Sequence, residues 1–161
     1  SELQELDETA QRLADSIEAA MSDLVDDDLI EVRRDKRWIE VEIKSSILFD
    51  SGSVKIKPEG QEVILRLAES FKNNTDQMIV VQGHTDDVKI GGALLSRFPT
   101  NWELSAARAT AVGRFLQEKG EIEPERLTAS GFSYYKPVAS NESEEGRKQN
   151  RRIEIMLMPV R

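Results

Sequence analysis

The residues whose types and spacing could do chemistry lie mainly in one stretch, GHTDDVKIGGALLSRFPTNWELSAAR, at positions 83–108. The stretch follows an apolar strand and runs into a helix, and loops held between rigid elements commonly carry binding residues. Asn101, Leu104 and Arg108 are spaced by three and four residues, so they share one face of that helix. Asp86 precedes them in the loop.

Asp86 and Arg108 are of complementary chemistry. An aspartate accepts hydrogen bonds from an ammonium group, whereas an arginine binds a carboxylate through two parallel hydrogen bonds. Together they predict a site for a ligand that carries both groups on one carbon, as an amino acid does. The alternative is that Asp86 and Arg108 pair only with each other or with water.

Catalytic and metal chemistry are poorly supported by the same residues. His84 is the only histidine and the chain has no cysteine, whereas zinc sites use these two residue types. Adjacent Asp86 and Asp87 normally point apart and so do not form the carboxylate pair of a glycosidase. The sequence also has no nucleophile elbow and no phosphate-binding P-loop. It therefore predicts a binding protein without a metal or cofactor.

The charge distribution separates the first 28 residues from the rest. The 161-residue chain carries a net charge of −8. Residues 1–28 hold ten acidic side chains against Arg12 alone, whereas the remainder is nearly balanced. No concentrated basic face is present, which argues against nucleic acid as a partner. No apolar run approaches the roughly 18 residues that a membrane helix requires.

Residues 2–25 form an apolar seam of the kind found in helices. Its members recur at alternating steps of three and four residues, at Leu3, Leu6, Ala10, Leu13, Ile17, Ala20 and Leu24. One interpretation is an amphipathic helix packed on its own domain. The other is a dimer contact or a stalk, although two alanines make a weak coiled coil.

The remaining elements alternate between strands and helices. Period-two patterns predict a hairpin over residues 29–44 and a last strand over 152–158. Apolar runs predict strands at 78–81 and 127–132, and helical stripes predict helices from Pro58 to about Asn73 and from Asn101 to about Lys119. Residues 136–149 are expected to form a polar loop. This order indicates an α+β fold, a two-layer α/β sandwich whose mixed sheet is covered by helices on one face.

Five segments, taken in order, resemble the OmpA-like peptidoglycan-binding domain. They are FDSGS at 49–53, GHTD at 83–86, NWELSAARA at 101–109, GFSYYKP at 131–137 and EGRKQNRRIEI at 145–155. The resemblance spans roughly residues 38–158. The long insertion at 89–100 is more specifically similar to flagellar motor stator B subunits of the MotB, MotD and PomB type. The implied organisation is an acidic periplasmic helix at 1–28 and an OmpA-like domain at 29–161, with the hairpin 29–44 leading into it.

The resemblance implies a non-catalytic module that binds the diaminopimelate residue of the peptidoglycan stem peptide. It assigns the ligand's ammonium group to Asp86 and its carboxylate to Arg108. Further pocket positions that it implies are Phe49, Asp50, Thr85, Asn101 and Leu104. The Asn150-Arg151-Arg152 segment flanks the pocket in this scheme, with Arg152 as a contact.

The resemblance also implies partners and a location. Stator B subunits are periplasmic domains of bacterial inner-membrane proteins, form homodimers and join a stator A subunit through an upstream membrane helix. Such a domain would anchor a stator complex around the flagellar motor. The alternative within the same fold is a general envelope tether, either a lipoprotein or a secretion-system component. A wall-cleaving enzyme is the competing hypothesis from another class.

Overall fold

A mixed five-stranded sheet forms the centre of the computed structural model, which describes residues 1–74 and 77–159. The strands are β1 (Ile30–Asp35), β2 (Trp38–Lys44), β3 (Gln77–His84), β4 (Leu127–Gly131) and β5 (Arg152–Pro159). Their order across the sheet is β1-β2-β5-β3-β4. β3 and β4 run parallel, and the other neighbouring pairs run antiparallel. The predicted mixed sheet is therefore confirmed.

Six helices accompany this sheet in the residues that the structure describes, and the three longest pack on one of its faces. The six helices are α1 (Glu2–Ala20), α2 (Ser22–Asp26), α3 (Ser45–Leu48), α4 (Pro58–Lys72), α5 (Asn101–Glu118) and α6 (Glu144–Asn150), with short 3₁₀ turns at Gly92–Ser96 and Pro124–Arg126. The expectation of a polar loop over 136–149 was wrong at its end, where α6 forms. The Ser143 side chain accepts a hydrogen bond from the Gly146 amide at 3.0 Å and caps this helix.

The core lies between the sheet and α1, α4 and α5. Alternate residues of the two central antiparallel strands are fully buried there, namely Ile39, Val41, Ile43, Ile153, Ile155 and Leu157. Because side chains on a strand alternate between faces, the residues between them lie on the opposite face. Gly83 allows α5 to approach β3 closely, since a Cβ at this position would lie 2.2 Å from the Ser105 carbonyl oxygen.

Helix α1 packs on its own domain, as the first interpretation of the seam held. Ala10, Leu13, Ala14 and Ile17 are buried, but Leu3 is 67% exposed. The buried stripe thus includes Ala14, which the heptad pattern omits, because a straight helix drifts from a strict seven-residue repeat. No helix in residues 1–74 and 77–159 is both long and apolar enough to cross a membrane.

Candidate functional site

A cavity of about 580 Å³ opens where the end of β3, the start of α5, the segment after α3, and α6 meet. It brings together seven of the eight residues that the sequence singled out. These are Phe49, Asp50, Thr85, Asp86, Asn101, Leu104 and Arg108. The eighth, Arg152, does not reach it.

Hydrogen bonds hold the loop after β3 against the loop after β4 and against α5. The Thr85 amide donates to the Ser133 carbonyl at 2.9 Å, and the Asn101 amide nitrogen Nδ2 donates to the Val88 carbonyl at 3.0 Å. A capping box formed by Thr100 and Glu103 begins α5, which sets the direction in which its first side chains point. The predicted helix face, which carries Asn101, Leu104 and Arg108, therefore points toward the cavity.

The Arg108 guanidinium is buried without a carboxylate partner. Its Nε donates to the Ser53 carbonyl at 2.9 Å and its Nη2 to the Asp50 carbonyl at 3.2 Å. The Phe49 ring lies beneath it, with the centroid 4.9 Å from Cζ. Among the described residues, no carboxylate forms an ion pair with Arg108.

The electrostatics of Arg108 follow from these surroundings. Burial, together with the positive charge of Arg151, lowers the pKa of Arg108 to about 10, and the carboxylate of Asp86 opposes that change. Arg108 nevertheless stays cationic at neutral pH. A bound carboxylate would supply the negative charge that this guanidinium lacks.

Asp86 is buried, and its carboxylate already binds the cationic side chain of Arg151. Its Oδ2 accepts from Arg151 Nη1 at 2.6 Å, and its Oδ1 accepts from the Val88 amide at 3.0 Å. The alternative in which Asp86 and Arg108 pair with each other is therefore wrong, because Arg151 takes that place. Arg151 also donates to Glu144 at 2.7 Å. Although burial acts against it, bonding to Glu144 and Asp86 raises the pKa of Arg151.

The placement of Arg152 as a pocket contact requires correction. Its Nη2 lies 3.0 Å from Glu154 Oε2 and donates to the Lys136 carbonyl at 2.8 Å, on the sheet face away from the helices. The alternation of β5 explains this, because Ile153 points into the core and its neighbour must point the other way. The same argument, applied to the sequence, would have favoured Arg151 over Arg152.

Arg147 and Lys89 add further positive charge to the cavity lining, and the sequence did not single them out. Arg147 pairs with Glu144 at 3.1 Å. Asn150, by contrast, is a scaffold residue: its Oδ1 accepts from the Val138 and Ala139 amides at 2.8 and 3.0 Å. Within the described residues, no group of three or more histidine or carboxylate side chains is arranged to hold a metal ion.

Comparisons with known proteins point to one family. The model of the OmpA family matches residues 48–151. Motility protein B of Bacillus subtilis (strain 168) is 35% identical over 130 residues, which cover 81% of this chain and 49% of that protein. The chain thus spans about half the length of this relative.

Solved structures of related proteins resemble this chain in fold as well as in sequence. A protein described as MotB-like from Desulfovibrio vulgaris superposes with a TM-score of 0.88 at 31% identity, covering 99% of this chain and 96% of that one. The cell wall anchor of the Pseudomonas aeruginosa T6SS superposes with a TM-score of 0.80 at 33% identity, covering 89% of this chain and 96% of that one. The periplasmic domain of Helicobacter pylori MotB (residues 90–256 in its own numbering) superposes with a TM-score of 0.74 at 27% identity, covering 82% of this chain and 80% of that one.

Proposed function

Because the chain belongs to the OmpA family and is a non-catalytic, OmpA-like peptidoglycan-binding domain, we propose that its cavity holds the diaminopimelate residue of the stem peptide. The observation that carries this proposal is the buried guanidinium of Arg108, whose described hydrogen-bond partners are neutral carbonyl oxygens. A buried cation without an anionic partner is costly. A ligand carboxylate offsets that cost and forms two charge-assisted bonds.

The ligand's ammonium group binds Asp86 in this scheme. Since Arg151 already occupies Oδ2 of that carboxylate, the ammonium group must displace Arg151 or share the oxygen with it. Phe49 and Leu104 are the apolar residues suited to contact the methylene chain between the ligand's polar ends. Thr85 and Asn101 act mainly by holding the loop in place, and Asp50 contributes its backbone carbonyl to Arg108.

The biological role we propose is anchoring of a flagellar stator complex to the cell wall. The support comes from Motility protein B and from the MotB structures, one of which is a periplasmic domain. The chain would then be the periplasmic part of an inner-membrane protein, would form a homodimer, and would work with a stator A subunit through an upstream membrane helix.

The cell wall anchor of a T6SS supports the second candidate, a general envelope tether. Deletion of the gene in its host separates the two roles. A stator subunit predicts cells that assemble flagella but do not swim. Normal swimming combined with a defect in the envelope or in secretion would instead favour the tether.

The ligand assignment is tested with purified sacculi and with free meso-diaminopimelate. Arg108→Ala is expected to abolish sacculus pull-down and calorimetric binding of diaminopimelate. Arg108→Lys is expected to bind poorly too, because an ammonium group cannot make the forked contact of a guanidinium. Asp86→Asn tests the opposite end of the ligand and should weaken binding as well.

Arg114→Ala is the matched control. Arg114 lies on the same helix, and its side chain is 70% exposed and pairs with Glu118, so its loss should leave binding unchanged. Full binding by both Arg108 variants would show that another residue holds the carboxylate.

A further inference from the structure

Three aromatic rings form an exposed stack, here called the aromatic ladder and defined as Trp102, Tyr135 and Tyr134. Trp102 lies 5.3 Å from Tyr135 between ring centroids, and Tyr135 lies 4.4 Å from Tyr134. The three side chains belong to residues that are 48%, 57% and 36% exposed, respectively. Large aromatic side chains gain most when they are covered, and contiguous exposed apolar patches commonly mark interaction sites.

The aromatic ladder is connected to backbone segments that line the cavity. Trp102 directly follows the cavity residue Asn101 in the first turn of α5. The loop that carries the two tyrosines is joined to cavity residue Thr85, whose amide donates to the Ser133 carbonyl at 2.9 Å. In turn, the Ser133 amide donates to Ser105 Oγ of α5 at 3.0 Å. These bonds join the segment that carries the two tyrosines to the cavity-lining loop and to α5.

We propose that the aromatic ladder is a binding subsite for the sugar rings of the peptidoglycan glycan strand, an inference that rests on the proposed wall-binding function. A pyranose ring presents a face of C–H groups, which pack on the electron-rich face of an aromatic ring. The sugar's hydroxyl and acetamido groups remain at the edge, where the two tyrosine hydroxyls, 3.3 Å apart, can exchange hydrogen bonds with them.

The position of the aromatic ladder favours a glycan over another occupant. The stem peptide is short, and each of its residues spans at most about 3.5 Å. A stem peptide held in the cavity therefore keeps its glycan strand close to the cavity's edge. The ladder is a stack of exposed aromatic rings carried by α5 and by the loop after β4, and that loop is hydrogen-bonded to the cavity residue Thr85.

Substitution of the ladder should not disturb the fold. The N-terminal cap of α5 depends on Thr100 and Glu103, so Trp102→Ala preserves the cap. Trp38 offers a matched control because it is the other tryptophan of the chain and is 44% exposed. It lies at the start of β2, at the opposite end of that strand from Lys44 and the cavity-lining Ser45.

The test uses three probes: meso-diaminopimelate, a peptide-free tetramer of N-acetylglucosamine, and intact sacculi. In a Trp38→Phe background, Trp102 is the only tryptophan, so its fluorescence reports on the ladder alone. We expect the tetramer to change this emission. Measured by calorimetry, which does not depend on the tryptophan reporter, Trp102→Ala and Tyr135→Ala should weaken tetramer binding by about three- to tenfold, the range of one aromatic stacking contact. Both variants should leave diaminopimelate binding unchanged.

The two proposals fail in different ways. Loss of tetramer binding in Trp102→Ala but not in Arg108→Ala or Trp38→Ala supports the ladder. Tetramer binding without diaminopimelate binding in the unmodified chain would refute the proposed cavity ligand while supporting the ladder. Diaminopimelate binding with no fluorescence response to the tetramer overturns the ladder. A dimer in sedimentation that Trp102→Ala converts to monomer also overturns it, because the rings would then be a contact between copies.

Discussion

Two clusters of charged side chains lie on opposite sides of the backbone at the start of β5. They differ in how their buried charges are paired. The cavity cluster consists of Asp86, Arg108 and Arg151. The sheet cluster, on the face away from the helices, consists of Glu42, His84, Arg152 and Glu154. Arg151 belongs to the first and Arg152 to the second, so adjacent residues at the start of β5 serve the two clusters.

Charges in the sheet cluster compensate one another. Arg152 lies 3.0 Å from Glu154 and 3.7 Å from Glu42, and His84 Nε2 lies 3.0 Å from Glu154. Burial by itself raises the pKa of Glu154, but bonding to His84 and the charge of Arg152 outweigh it and lower that pKa to about 2. Arg33 also lies 3.3 Å from Glu42 and 3.5 Å from Glu154, so each buried carboxylate of this cluster has a cation beside it.

One charge of the cavity cluster, that of Arg108, has no opposite charge paired with it among the described residues. Arg108 is buried to a similar degree as Glu154, yet its described hydrogen bonds go to carbonyl oxygens. Buried groups whose pKa is strongly displaced occur often at functional sites. The difference between the clusters teaches that burial of charge alone does not mark a site, whereas a buried charge lacking an opposite charge inside a cavity does.

The largest expected effect is on folding stability. Arg152→Ala removes the buried cation that pairs with Glu42 and Glu154, so that only the partly exposed Arg33 remains beside them. Loss of one partner of a buried pair typically costs about 3–5 kcal/mol of unfolding free energy. Arg108→Ala should cost only about 1 kcal/mol, the net contribution of ordinary hydrogen bonds. Urea denaturation of both variants measures the contrast. Equal losses would show that Arg108 is as structural as Arg152.

The sheet cluster should also govern the stability of the protein in acid. The folded-state pKa of Glu154 is about 2, against an ordinary value of 4.5. Its contribution is therefore fully present above about pH 4.5 and is lost as the pH falls toward 2. Thermal unfolding measured across this range should show a shallower decline for Glu154→Gln than for the unmodified chain. Parallel curves would mean that other groups cause the acid sensitivity.

The smallest expected effect concerns Arg151. Arg151→Ala frees Asp86 from the guanidinium that binds it at 2.6 Å, so the ligand's ammonium group no longer competes for that carboxylate. Affinity for meso-diaminopimelate should rise by about two- to fivefold, as expected for release of one partly exposed ion pair. Lower affinity would instead show that Arg151 itself contacts the ligand.

Much of the fold could be predicted because its signals are local. The alternation in β2 and β5 follows from the geometry of a strand, and the start of α5 follows from the Thr100–Glu103 capping box. Helix α6 escaped prediction since its seven residues have no apolar stripe; its cap at Ser143 was the one local signal. The heptad pattern missed the buried Ala14 of α1 because helical and heptad periods drift apart.

The sequence by itself determined that Asn101, Leu104 and Arg108 share one face of a helix, because residues three and four apart on a helix are neighbours whatever surrounds it. Only the tertiary structure decided which charges meet. Asp86 and Arg151 are 65 positions apart, and the pairing depends on how β3 and α6 come together. The tertiary structure also stacked Trp102 against Tyr135, since a contact between distant segments depends on the packed sheet and helices that bring them together.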